Sequence, residues 1–164
     1  MPAHGPAILA CNHVSVIDPL LLVASNPRLI SFVVAQEYYE KRLFRPFLDM
    51  AGCIPVRRDR RDKVGLLKAR ALLREGRVLG LFPEGGINRG MEGPQLGIGW
   101  LVRETGAPVV PARIFHARQL QSDLRTWLAR QHPRLRYGVP LQFHPTADAE
   151  EIVGAIMSAI ATLG

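Results

Sequence analysis

Ala7-Ile8-Leu9-Ala10-Cys11-Asn12-His13-Val14-Ser15-Val16-Ile17-Asp18-Pro19-Leu20-Leu21-Leu22-Val23-Ala24 decides how the rest of the chain is read. The apolar run Ala7–Cys11 predicts a short buried strand. Pro19 opens the apolar segment Leu20–Ala24, which predicts a helix. Pro at the first helical position loses no hydrogen bond, and Asp at the position before it is a good N-cap. His13 then falls in a strand-to-helix loop, with Asp18 at the helix mouth. On a continuous helix, side chains five apart point about 140° away from each other. A contact between His13 and Asp18 therefore needs the loop to fold back, and a break between strand and helix permits that.

Neutral imidazole is the common general base near neutral pH. A carboxylate that accepts from one ring nitrogen fixes the tautomer, leaves the other nitrogen able to take a proton, and stabilises the imidazolium that forms. The competing reading makes His13 a polar loop residue and Asp18 only a cap, since this spacing arises easily by chance. Ser15 between them suggests a serine nucleophile, but a loop Ser more often bonds nearby backbone. Cys11 as an acyl-accepting thiol is weaker still, because a Cys inside an apolar strand is usually an inert small hydrophobe.

The 164 residues suit one domain, 1–164, with a sizeable core. Apolar residues make up 48% and charged residues 21%, which does not point to disorder. The net charge of +7 favours an anionic partner: a phosphorylated substrate, an acidic lipid surface or nucleic acid. Cys11 and Cys53 show no zinc or CxxC spacing, so a reducing cytosol is the simplest fit, with pairing of the two thiols as the alternative. No stretch approaches the length of a membrane span, and Met1–Pro6 has no signal-peptide pattern.

Leu29–Ala35 predicts a second buried strand. Glu37–Met50 mixes aromatics with charge, and Pro46 divides it into two short helices. Their aromatics either pack into the core or form an amphipathic face that touches lipid. Gly52–Val56 is a short extended piece. It ends in the charge run Arg57–Lys63, whose interleaved Asp residues weaken it as a nucleic-acid patch. Arg58, directly after the extended piece, is the best placed of these to point into a site. Asp62–Glu75 predicts an amphipathic helix with Val64, Leu67, Ala71 and Leu72 on one face, ended by Gly76.

Val78–Phe82 predicts a third buried strand that empties into Pro83-Glu84-Gly85-Gly86-Ile87-Asn88-Arg89-Gly90. A carboxylate at a strand end followed by paired glycines offers backbone N–H groups to a close ligand; a plain Gly-rich turn is the competing reading. Gly97–Thr105 predicts a helix closed by Gly106, and Pro108–Ile114 a fourth strand, with Pro111 arguing for an edge or irregular position. Leu120–Gln131 predicts a helix, Leu135–Tyr137 and Leu141–Phe143 short strands, and Asp148–Leu163 a terminal helix capped near Asp148. His4, His116, His132 and His144 have no motif around them and are read as structural. Strands alternate with helices through the first two-thirds. The expected fold class is therefore α/β: a single-domain sandwich of a mixed, mainly parallel central sheet flanked by helices, with function on the loops at strand ends.

Four segments taken together, Asn12-His13…Asp18, Gly52…Arg58, Phe82-Pro83-Glu84-Gly85 and Val110-Pro111, resemble the glycerolipid acyltransferases. More closely they resemble the 1-acylglycerol-3-phosphate (lysophosphatidate) acyltransferases, over roughly Ala7 to Ile114. The resemblance implies transfer of a fatty acyl group from an acyl-CoA or acyl-carrier-protein thioester to a free hydroxyl on a glycerol phosphate backbone, in phospholipid biosynthesis. It implies that His13 is the base and Asp18 its orienting partner. It assigns Arg58 to the acceptor's phosphate, Glu84 and Gly85 to acceptor binding, and Pro111 to the acyl-donor side. It implies no cofactor beyond the thioester co-substrate and no metal.

The departures bear on the acceptor. Gly86 and Ile87 stand where the family usually has threonine and arginine, and the next basic residue is Arg89. Arg57 stands where an acidic residue often precedes the second block's arginine. Arg89 or Arg57 would have to reach across, or the acceptor differs from lysophosphatidate. The family's N-terminal helical segment, often its membrane anchor, has no counterpart here. The chain is then expected either to be truncated or to dock, as a cytoplasmic protein at the inner face of the cell membrane, through its basic and amphipathic surface. A basic binding module without catalysis is the reading from a different class; it explains the charge but not the His13–Asp18 and Glu84 loops.

Overall fold

In a computed structural model, residues 1–15, 17–42, 45–56, 63–84, 97–115 and 133–164 are described. The strands are β1 (Ala7–Cys11), β2 (Ile30–Ala35), β3 (Ile54–Val56), β4 (Val78–Leu81), β5 (Val109–Phe115) and β6 (Arg134–Tyr137). The helices among them are α1 (Asp18–Ala24), α2 (Gln36–Tyr39), α3 (Arg45–Met50), α4 (Lys63–Arg74), α5 (Gly97–Thr105) and α6 (Ala149–Thr162). One six-stranded sheet runs in the order β3-β2-β4-β1-β5-β6. The first five strands are parallel and β6 is antiparallel to β5. This is the mainly parallel α/β sandwich expected from the alternation of elements.

Both faces of the sheet are covered, which is why its strands are apolar runs rather than alternating ones. All five residues of β1 are buried. Strand periodicity sends Ile8 and Ala10 to one face, where they pack under α4, α5 and α6 through Ala69, Leu73, Leu101 and Ile156. Ala7, Leu9 and Cys11 go to the other face, with Leu22 of α1 and Ile30 and Phe32 of β2.

Helix ends follow local chemistry. Gly76 has φ 77°, and its N–H reaches the Leu73 carbonyl while the Arg77 N–H reaches that of Leu72. These two bonds close α4 in a Schellman motif, which needs the left-handed residue that glycine supplies. At the other end of the chain, Asp148 caps α6 by accepting from the Glu150 N–H.

Several expectations need correction. The buried face of α4 is Gly65, Ala69, Leu72 and Leu73, whereas Val64, Leu67 and Ala71 face outward. Two stripes of this helix carry apolar residues, and the stripe that fits the sheet won. Pro111 is not on an edge strand; β5 lies between β1 and β6. The β5–β6 ladder ends at Ala112↔Tyr137, one residue short of Pro111, so the missing N–H breaks no ladder bond. Pro111 still accepts, from the Gly138 N–H. Leu141 makes only an isolated bridge to Val109. The two short helices expected over Glu37–Met50 are present as α2 and α3, and Pro46 sits inside the first turn of α3, as suits a residue without an N–H. Of the two readings of Cys11 and Cys53, the pairing is the one not seen: both are free thiols. The helix expected over Leu120–Gln131 falls outside the described residues.

Candidate active site

The site forms at the carboxyl ends of β1 and β4, neighbours in the sheet, where open α/β sheets place their ligands. After Cys11 the chain must leave the sheet, and Asn12 makes the exit orderly. Its side-chain Oδ1 accepts from the Ile114 N–H at 2.7 Å and its Nδ2 donates to the Ile114 carbonyl at 3.1 Å. The side-chain amide thus takes the place of one more ladder pair with β5, while the backbone turns away with His13.

His13 and Asp18 come together. His13 Nδ1 lies 2.8 Å from Asp18 Oδ2, with the imidazole 16% exposed and the carboxylate fully buried. The same oxygen accepts from the backbone N–H groups of Val14, at 2.7 Å, and Ser15, at 2.8 Å. Asp18 is therefore not the N-cap it was expected to be. It is the first residue of α1, and Ile17 occupies the cap position. Its side chain reaches backwards and ties down the loop that carries His13. Two backbone N–H groups already donate to that oxygen, and a carboxylate only accepts, so the ring meets it with an Nδ1–H, and in the neutral imidazole Nε2 then keeps its lone pair. The first turn of a helix adds a favourable dipole for the carboxylate.

Two residues from the end of β4 complete the arrangement. Phe82 stacks on the imidazole with ring centroids 4.1 Å apart and planes 17° apart. The Glu84 carboxylate accepts from the His13 backbone N–H at 3.4 Å. Glu84 thus sits beside the His13 loop, with one oxygen on that loop's backbone. Sequence reading placed neither the Phe82 ring nor the Asn12 amide; the signal for Phe82 was its spacing of two from Gly80, which puts both on one sheet face.

The remaining candidates divide. Pro111 is buried in β5, paired with Ala10 two residues before the loop, and belongs to the scaffold under the site. Arg58, Gly85 and Arg89 lie outside the described residues. Ser15 is fully buried, so its hydroxyl is out of reach of a substrate. Burial pushes the Cys11 thiol far above its ordinary 9.0, and the negative charges of Asp18 and Glu84 push it the same way, which leaves it inert as a nucleophile.

The His13–Asp18 pair thus stands on the first strand-to-helix loop of a mainly parallel sheet. Residues 1–115 match the family model described as Acyltransferase, and the chain belongs to that family. It is 30% identical over 115 residues to a 1-acyl-sn-glycerol-3-phosphate acyltransferase of Bacillus subtilis, covering 68% of this chain and 57% of that protein. It is 28% identical over 124 residues to a protein of the same name from Borreliella burgdorferi, covering 71% and 48%. The chain thus spans about half the length of these relatives. The crystal structure of the 1-acyl-sn-glycerophosphate (LPA) acyltransferase PlsC from Thermotoga maritima shares the fold. It has a TM-score of 0.73 at 18% identity, with 99% of this chain and 66% of that one covered.

Proposed function

We propose that this chain is the acyltransferase domain of a lysophosphatidate acyltransferase in phospholipid synthesis, with His13 as general base and Asp18 as the residue that orients it. The observation that carries the reading is the 2.8 Å contact from Nδ1 to Asp18 Oδ2, which leaves Nε2 as the basic nitrogen. An alcohol is too weak an acid to attack a thioester unaided. Nε2 takes the hydroxyl proton as the oxygen bonds to the thioester carbonyl carbon. The tetrahedral intermediate collapses by breaking the C–S bond, and the imidazolium returns its proton to the leaving thiolate. Such a base contributes about 10²–10⁴-fold. Asp18 stabilises the imidazolium in between.

Arg58 is the group proposed for the acceptor's phosphate, with Arg89 or Arg57 reaching across, since guanidinium donates two parallel hydrogen bonds to it, and Glu84 and Gly85 are proposed for acceptor binding. Pro111 supports the acyl-donor side only as scaffold. The donor is an acyl-CoA or acyl-carrier protein. The +7 charge suits docking on an anionic membrane at its cytoplasmic face. No helix among the described residues is long and apolar enough to cross a membrane.

Gly86-Ile87, in place of the usual threonine and arginine, favours one second reading: the same chemistry on another lipid or small alcohol. A panel of acceptors with labelled acyl-CoA, run with and without anionic vesicles, separates the two. Lysophosphatidate labelled fastest is the expected result. Preference for an unphosphorylated alcohol would move the assignment to the second reading, and no acyl transfer to any acceptor would remove both.

A further inference from the structure

A hydrogen bond fixes one point of the His13 ring; it does not fix the ring's plane. The Nε2 lone pair lies in that plane, so its aim depends on a contact with the ring's face. Phe82 supplies that contact. Phe82 is held in turn. It stacks on Phe32 of β2, with centroids 5.9 Å apart and planes 13° apart, and Phe32 is 3% exposed. Phe32 pairs in register with Gly80 of β4. A Cβ at position 80 would overlap the Phe32 ring, 2.6 Å from Cδ1, and would press on Ile30 Cγ2 at 2.9 Å. Strand alternation explains the alignment: Val78, Gly80 and Phe82 share one face, as do Ile30 and Phe32.

We infer that Gly80, Phe32 and Phe82 form a stacked brace that sets the plane of the catalytic imidazole, and that Phe32 and Gly80 are positioning residues for the transfer although neither lies in any of the four sequence blocks. This rests on His13 being the base. Phe32 is anchored in the core on that side of the sheet, so the brace carries the rigidity of β2 and β4 to a side chain on a loop. Misaiming a reacting group by about 1 Å can cost about 10²-fold in rate. A brace of this kind acts on kcat and leaves acceptor affinity nearly untouched.

The test compares Phe82→Leu, Phe82→Tyr and Phe32→Leu with wild type and with His13→Ala, using labelled acyl-CoA and the best acceptor. Circular dichroism checks the fold of each variant. Phe82→Leu keeps an apolar side chain but no ring face, and is expected to lose about 10- to 100-fold in kcat with KM within about twofold. Phe82→Tyr keeps the face and is expected to retain most of the rate. Phe32→Leu, which touches no reacting group, is expected to lose kcat in the same sense by a smaller factor. Gly80→Ala is a harsher probe that can fail to fold, so the leucine variants carry the decision. A folded Phe82→Leu with wild-type kcat, or a loss not rescued by Tyr, overturns the brace while leaving His13 as base. An active His13→Ala would instead remove the catalytic reading on which the brace rests.

Discussion

Asp18 is the residue on which the loop turns. Its Oδ2 collects the His13 ring and two backbone N–H groups, so one buried carboxylate shapes the loop and orients the imidazole proposed as the base. Asp18→Asn offers an N–H where these donors need an acceptor, or turns its oxygen to them as a weaker, uncharged one. Either way the tautomer is no longer enforced. Turnover is expected to fall about 10²–10⁴-fold, with steady-state assays as the check. Stability should fall as well, by about 1–3 kcal/mol in urea melts, because buried N–H groups lose a charged partner. The pair's spacing was legible in the sequence, but the backward reach of Asp18 was not. An Asp beside a Pro-initiated helix reads as a cap, and only the folded loop shows donors waiting behind it.

At the scale of elements, the strands and helices were legible because apolar runs and punctuating Gly and Pro residues mark them. Gly76 and Gly106 end their helices in the left-handed region, as read. The face of α4 was not legible. Val64, Leu67 and Ala71 are as apolar and as regularly spaced as the stripe that the sheet accepts, and nothing local decides between them. Gly65 and Ala69 lie on the buried face of α4, a preference set by tertiary packing. Leu73→Ala is therefore expected to cost about 2–5 kcal/mol in urea melts. Leu67→Lys, at a site 47% exposed, should change stability by no more than about 0.5 kcal/mol. A large loss from Leu67→Lys with a small one from Leu73→Ala would reverse the helix. Of the two positions read for Pro111, edge or irregular, the edge strand fails for a similar reason. Proline usually disfavours an inner strand, but here β6 leaves the ladder one residue before the missing N–H would be needed.

For the whole molecule, two-sided burial of the sheet has a consequence at high pH. Burial pushes up the Cys11 and Cys53 thiols and the Tyr137 hydroxyl, and takes Tyr39 from 10.0 to about 12. All four become anions when they lose a proton, and the folded chain holds that proton to higher pH than the unfolded chain does. Unfolding therefore releases protons above the ordinary thiol value of 9.0, and stability declines as pH rises from there toward the folded values. Urea midpoints should be flat in this respect below about pH 8.5 and fall between about pH 9 and 11. Cys11, with no exposed surface, should resist alkylation in the native protein and react on unfolding. Rapid native labelling at Cys11 would contradict the two-sided core. The fold class was legible because alternation of elements is a property of the whole chain. The meeting of Glu84 with the His13 loop, 71 residues apart, was not, because it follows from β4 settling beside β1.

The most direct measurement is acyl transfer by His13→Ala, with labelled acyl-CoA and lysophosphatidate, beside a circular dichroism spectrum of the same protein. The expected result is a native spectrum with turnover reduced by at least about 10²-fold. A native spectrum with near wild-type turnover would show that the imidazole between Asp18 and Phe82 is not the base.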